Sequence, residues 1–239
     1  MFQRVPNTFS RVSAVSTARK PSFARQSHSC CSELSFYDRC LENNRNWVQT
    51  KTKEDKDYFH RLAQVQKPKI LWIGCADSRI PPTEVTKMQP GDIFEHRNVA
   101  NVVVHSDLNS MSVIQYAVEA LQVEDIIVCG HYNCGGVRHA QTKQYSGLIN
   151  KWLLHVKDVY DKHSKELESI EDPQQREDRL VELNVMEQCM NVCKTSVVQR
   201  VWKDKPRVHG WIYDVRSGYI KDLKVDVTIH PIYKLHLTN

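Results

Sequence analysis

The sequence predicts an α/β fold, with a central, mostly parallel β-sheet flanked by helices, an N-terminal helical arm in front and a C-terminal edge hairpin behind. Three observations predict it. Ile70-Leu71-Trp72-Ile73 and Ile126-Ile127-Val128-Cys129 are short runs, apolar throughout and followed by glycine, the pattern of strands covered on both faces. Between them Ile114, Ala117, Val118 and Leu121 keep helical spacing, and strand, helix, strand is the unit of a parallel crossover. Two long helical stretches and a strand-turn-strand signal complete the chain.

Residues 1–32 hold Arg4, Arg11, Arg19, Lys20 and Arg25 but no acid, and Phe2, Val5, Phe9 and Val12 fall at helical steps. This is the composition of a mitochondrial targeting leader, and a disordered basic tail is the alternative it permits. Residues 33–239 are expected to form a single domain. Its arm, about 34–65, carries Phe36, Tyr37, Cys40, Leu41 and Trp47 on one stripe, suited to packing on a partner subunit, before the charge run Lys51 to Asp57. After the first buried strand, a turn through Pro81-Pro82 leads to a short helix ending near Pro90-Gly91, and Ile93-Phe94 with Val102-Val103-Val104 supply further strand material. Ser110 or Ser112 is placed to cap the next helix, and Asp125 to Cys129 is the second buried strand. Helices follow at about Leu148 to Lys165 and Gln175 to Lys203, separated by Glu171-Asp172-Pro173. Val208 to Val215, a Ser217-Gly218 turn and Tyr219 to Leu223 make the hairpin.

A length of 239 residues with 41% hydrophobic side chains fits one α/β domain. The net charge of +5 is confined to the leader: without its five bases the body has as many bases as its 28 acids, which points away from a nucleic-acid partner. No apolar run approaches the roughly 18 residues a spanning helix needs. No unbroken apolar core of a secretory signal is present either. Eight cysteines without repeated paired spacing do not make a disulfide scaffold, and a reducing compartment follows. Cys30, Cys31 and Cys40 fall in or near the leader, Cys129 reads as core, and Cys189 with Cys193 reads as a packed i, i+4 pair.

The chemistry gathers at strand ends. The first strand runs into Gly74-Cys75 and the second into Gly130-His131-Tyr132-Asn133-Cys134, and sites in open α/β sheets form at the carboxyl ends of strands. Two cysteines and one histidine are three soft ligands that leave a fourth zinc position open, a catalytic rather than structural set. On spacing alone, a core cysteine beside an isolated His-x-x-Cys explains the pattern equally well. Cys75-Ala76-Asp77-Ser78-Arg79 tips the balance: it sets an acid two residues from a ligand and an arginine two beyond, placed to pair bidentately and aim the carboxylate at a metal-bound water. A surface salt bridge is the alternative. Gly135-Gly136 lets backbone approach closely at the start of a helix.

Cys75-x-Asp77-x-Arg79, His96-Arg97-Asn98-x-Ala100-Asn101 and Gly130-His131-x-x-Cys134-Gly135-Gly136 together resemble the signature motifs of β-class carbonic anhydrases. The similarity runs on through Gly147-Leu148-Ile149, Glu182-Leu183-Asn184-Val185 and His209-Gly210-Trp211-Ile212-Tyr213, covering roughly residues 35 to 225. The resemblance implies an α/β fold around a parallel sheet, a homodimer or homotetramer with its active site at a subunit interface, and reversible hydration of carbon dioxide to bicarbonate and a proton by zinc-bound hydroxide. It makes Cys75, His131 and Cys134 the Zn²⁺ ligands, Asp77 and Arg79 the catalytic dyad, and Gly135 a backbone contact for substrate. Ala76 stands where many members carry Ser, at a position with no ligand role. With the leader, the expected location is the mitochondrial matrix, the cytoplasm being the alternative.

Two thiolates cancel the metal's charge, so activity is expected to rise toward alkaline pH. His96, His105 and His139 are read as structural, and no proton shuttle is named. Hydrolysis of a CO₂-like heterocumulene such as carbon disulfide, and bicarbonate sensing without turnover, stay open as alternatives. A deaminase is excluded because its His-x-Glu and Pro-Cys-x-x-Cys pairing is missing. Trp72, Arg97 and Tyr213 resemble residues that recur in a bicarbonate-regulated subgroup, which implies an allosteric bicarbonate site whose occupancy opens the Asp77–Arg79 pair and sends Asp77 to the fourth metal position. A purely structural aromatic and arginine cluster is the alternative.

Overall fold

The computed structural model describes residues 34–201, 205–227 and 234. The leader, residues 1–32 with Cys30 and Cys31, lies outside them, as does the expected helix end at Lys203. The chain divides into two compact units at Lys53 and Glu54. Helix α1 (Phe36–Glu54) fills the described part of the first unit, and none of its residues is buried. Ser35 starts it: the hydroxyl accepts the Asp38 N–H at 3.1 Å and donates to the Asp38 carboxylate.

In the second unit α2 (Tyr58–Gln64) leads to β1 (Ile70–Cys75), α3 (Pro82–Thr86), β2 (Ile93–Asn98), a tight turn over Val99–Asn101, α4 (Leu108–Gln115) with a wider turn after it, and β3 (Asp125–His131). Then come α5 (Gly135–Ala140), α6 (Ile149–Lys162), α7 (Ser164–Glu168), α8 (Pro173–Cys193), α9 (Ser196–Val201), β4 (Arg207–Tyr213) and β5 (Ile220–Asp222). The sheet order is β2-β1-β3-β4-β5; the first four strands are parallel and β5 closes the edge antiparallel. The expected mostly parallel sheet with flanking helices and an edge hairpin is therefore the observed architecture.

Boundaries differ where side chains compete for the backbone. The arm is two helices, because the Asp55 carboxylate takes the Asp57 N–H at 3.0 Å in a local turn. Asp107, not Ser110 or Ser112, caps α4, accepting the N–H groups of Asn109 and Ser110. The short helix α3 stops at Thr86, where Lys87 turns left-handed, rather than near Pro90. Strand β2 runs on through polar residues to Asn98, whereas Val102 and Val103 are buried without joining a strand. The helix expected from Gln175 begins at Pro173, capped by the Asp172 side chain, and breaks after Cys193. There the Thr195 hydroxyl donates to the Val192 carbonyl and accepts the Val198 N–H.

Two faces of the sheet differ in what covers them. Leu71, Ile73, Ile126, Val128 and Ile212 point into the main core, where α8 contributes Val185, Cys189 and Cys193. Glycine at 130 and 210 is what lets α8 lie so close: a Cβ at Gly130 would stand 2.6 Å from Val185 Cγ2, and one at Gly210 3.1 Å from Val185 Cγ1. The opposite face carries a smaller cluster of Trp72, Ile127 and Cys129, with Trp211 packed edge-on at 6.1 Å from Trp72 and Tyr213 alongside. The register pairs Gly74 with Cys129 and His131 with Tyr213, so the carboxyl ends of β1, β3 and β4 finish at nearly one height.

Candidate metal centre

That common height brings Cys75, at the end of β1, beside His131, at the end of β3, and Cys134 follows through a turn in which Asn133 is left-handed at φ +57°. Cys75 is 8%, His131 0% and Cys134 1% exposed. One potential ligand atom from each lies within 4.8 Å of the others. The two sulfurs are 3.9 Å apart. The Cys134 thiol shares a hydrogen bond with Cys75 and holds the Cys75 thiol well below its ordinary range. The same bond, together with burial, pushes Cys134 up. A cation bound between them would favour both as thiolates.

Beside this triad the Asp77 carboxylate takes two bonds from one guanidinium, Arg79 Nε to Oδ1 at 2.9 Å and Nη2 to Oδ2 at 2.7 Å, with the Arg79 backbone N–H as a third at 3.0 Å. Arg79 and its backbone hold the Asp77 carboxyl down to about 2, against some opposition from burial. Asp77 Oδ2 stands 3.8 Å from His131 Nε2. Arg79 Nη2 reaches across to the Asn133 carbonyl at 3.3 Å, so one arginine ties the acid to the turn between His131 and Cys134.

The donor set fits zinc on three counts. The His131 Nδ1 sits 3.0 Å from the Tyr132 carbonyl, which fixes the proton there and leaves Nε2 with its lone pair free. That Nε2 is buried without a hydrogen-bond partner, a cost that a metal bond removes. The sulfur separation of 3.9 Å is near the edge of about 3.8 Å that a tetrahedron with zinc–sulfur bonds of about 2.3 Å requires.

The sequence profile of the family described as carbonic anhydrase matches residues 70–220. The chain belongs to the β-class carbonic anhydrases. It is 48% identical over 206 residues to a carbonic anhydrase of Emericella nidulans, covering 83% of this chain and 90% of that one. A protein of Arabidopsis thaliana named beta carbonic anhydrase 6, mitochondrial, is 34% identical over 195 residues, 78% of this chain and 62% of that one. Among solved structures, a tetrameric β-carbonic anhydrase from Sordaria macrospora superposes with a TM-score of 0.76 at 38% identity, covering 79% of this chain and 96% of that one. One from Aspergillus fumigatus gives 0.78 at 37%, covering 83% and 95%. This β-carbonic anhydrase catalyses the reversible hydration of carbon dioxide to bicarbonate and a proton.

The other residues singled out in the sequence fall in different places. Gly135 opens α5 and is exposed, with no atom within 4 Å of where a Cβ would stand. His96 contacts the Asn98 amide at 3.2 Å and His105 the Asn191 carbonyl at 2.8 Å, while His139 Nε2 is buried without a partner. Trp72 and Tyr213 belong to the small aromatic face. Arg97 lies opposite Gly74 in the register, where a Cβ would collide with the Trp72 indole nitrogen. Its guanidinium is turned onto backbone, Nε to the Cys75 carbonyl at 3.0 Å and Nη2 to the Asp77 carbonyl at 2.6 Å. Cys189 and Cys193 are packed in the core, away from any metal-binding group among the described residues.

Sequence reasoning missed a further support. Arg138 on α5 grips the buried Glu177 through Nε at 2.8 Å and Nη2 at 3.0 Å, and the same Nη2 reaches Asn133 Oδ1 at 3.2 Å. No pattern signals it: Glu177 lies in the polar run Gln174 to Arg179, and only the fold shows that this carboxylate is buried against a cation.

Proposed function

We propose that Cys75, His131 and Cys134 hold a zinc ion and that Asp77 and Arg79 align the attacking water for carbon dioxide. The observation that carries this reading is the bidentate Asp77–Arg79 pair standing against three converging soft ligands, one of them the orphaned His131 Nε2. Zinc held there supplies a Lewis acid that brings water's pKa from 15.7 to near 7. Asp77 is ionised throughout the working range and is therefore an acceptor only: it takes a hydrogen bond from the nucleophilic oxygen and turns a lone pair toward the carbon. Arg79 spends its fork on Asp77 and the Asn133 carbonyl, which stops the carboxylate from swinging onto the metal. Gly135, bare of side chain at the mouth of α5, leaves room for substrate beside Cys134. The test is Asp77→Asn. Full metal content with turnover reduced by about 10²-fold or more supports an orienting role; equal loss of zinc would show that Asp77 is a ligand instead.

The apolar stripe of α1, together with the tetrameric relative, supports assembly of this chain as a homo-oligomer, a dimer or a tetramer. Residues 1–32 act as the import leader to the mitochondrial matrix and 33–239 as the catalytic domain. Leader composition and the mitochondrial relative support this, and no helix among the described residues is long and apolar enough to cross a membrane. Deleting residues 1–30 should leave an active enzyme in the cytosol.

A second reading concerns regulation by bicarbonate at Trp72, Arg97 and Tyr213. It is favoured by the two bonds from Arg97 to the carbonyls of Cys75 and Asp77. An anion drawing that guanidinium away would loosen the segment that carries both a ligand and the acid, and the Asp77–Arg79 pair could open. Arg97→Ala or Tyr213→Phe should then lose inhibition by added bicarbonate at moderately low pH. Inhibition equal to the parent in a folded variant contradicts the site.

A further inference from the structure

Two motifs, His96-Arg97-Asn98-x-Ala100-Asn101 and Glu182-Leu183-Asn184-Val185, are left largely unused by the chemistry above. The fold brings them together. Asn184, Gln188 and Asn191 stand at i, i+4 and i+7 on one face of α8, in a helix that otherwise buries mostly apolar side chains. Asn184 and Gln188 are each 1% exposed, and amides so buried are costly unless every polar atom is engaged.

All three amides are engaged by one target, the backbone from Ala100 to Val103. Asn184 Nδ2 donates to the Ala100 carbonyl at 3.0 Å, Gln188 Oε1 accepts the Val103 N–H at 2.8 Å, and Asn191 Nδ2 donates to the Val103 carbonyl at 3.2 Å. Between rungs, Gln188 Nε2 donates to Asn184 Oδ1 at 3.0 Å and Asn191 Nδ2 to Gln188 Oε1 at 3.2 Å. Asn98 closes the same turn from within: its amide accepts from and donates to the backbone of Val102, both at 2.8 Å. What this ladder holds is backbone that side-chain-bearing residues avoid, Ala100 at φ +65° and Asn101 at φ +46°. With its carbonyl tied to α8, Ala100 is fixed two residues after Asn98, which lies opposite Cys75 in the register and whose carbonyl holds the Ala76 N–H at 2.8 Å.

We propose that Asn184, Gln188 and Asn191 are positioning residues for the metal centre: the ladder keeps the left-handed turn that follows Asn98, whose carbonyl holds the Ala76 N–H beside Cys75, and so fixes how that sulfur faces the metal. The inference rests on Cys75 being a ligand. Hydrogen bonds made to metal ligands by the residues around them are worth about 10- to 100-fold in metal affinity, which sets the size of the effect. Asn184→Leu removes the bond to Ala100 at nearly constant volume. Ala100→Gly, added to it, removes the steric penalty of positive φ, so the turn can re-form without the ladder.

The experiment follows zinc transfer to a chelator, and the sulfur-to-metal absorption band of the cobalt-substituted enzyme, in variants checked for folding by thermal melting. Asn184→Leu should release zinc about tenfold faster or more and shift the band, since the Cys75 sulfur no longer meets the metal at its parental angle. Adding Ala100→Gly should return both toward the parent, a rescue that mere loss of packing would not show. If Asn184→Leu does not fold, Asn191→Leu, at the half-buried end of the ladder, carries the same test. Parental release and band in a folded variant, or faster release that Ala100→Gly leaves untouched, would overturn the proposal. A parent chain that takes up neither zinc nor cobalt would overturn the ligand reading of Cys75, and this inference with it.

Discussion

Two pairs of buried cysteines share this molecule and differ in everything except burial. Cys189 and Cys193, one turn apart on α8, are wrapped in aliphatic side chains; burial pushes both thiols up, Cys193 to about 12. Cys75 and Cys134 are almost as deeply buried. Yet their sulfurs stand 3.9 Å apart beside His131, and Cys75 is held low by its partner's thiol. Burial alone makes a cysteine an inert apolar group, and it is the convergence of a second thiol and an imidazole at the strand ends that turns it into a ligand.

The largest effect should come from breaking the reactive pair. Cys75→Ser should abolish zinc binding and bring carbon dioxide hydration to the uncatalysed rate, read by metal analysis and a stopped-flow assay. Retained zinc would show that the pair is not what binds it. An intermediate effect should come from the turn rather than the sulfurs. Arg138→Met frees Asn133 and leaves Glu177 buried without its cation, so zinc release should accelerate by about tenfold while Cys189 and Cys193 stay unreactive to alkylation. The smallest effect belongs to the inert pair: Cys189→Ala should keep zinc and activity and lower stability by about 1 kcal/mol in chemical denaturation. Loss of metal in that variant would erase the distinction.

What could be read in the sequence follows the same division. Cys75, Asp77 and Arg79 lie within five residues, so their pairing needs only local geometry, and the apolar runs of β1 and β3 announce buried strands that end at Cys75 and His131. The far half of β2, Glu95 to Asn98, was illegible because an edge strand needs no unbroken apolar run. The turn at Ala100 was illegible for a different reason: nothing about alanine predicts a positive φ, and the amides that impose it sit more than eighty residues away on α8. Asn184 was visible in the Glu182-Leu183-Asn184-Val185 motif without its partner being legible, and Glu177, set in the polar run Gln174 to Arg179, carried no signal of its burial against Arg138.

X-ray absorption at the zinc edge of the purified enzyme tests the central claim most directly. The account predicts close to one zinc per chain, with two sulfur neighbours and one imidazole nitrogen among its ligands. Zinc surrounded by nitrogen and oxygen alone, or a protein that carries none after gentle purification, would contradict it.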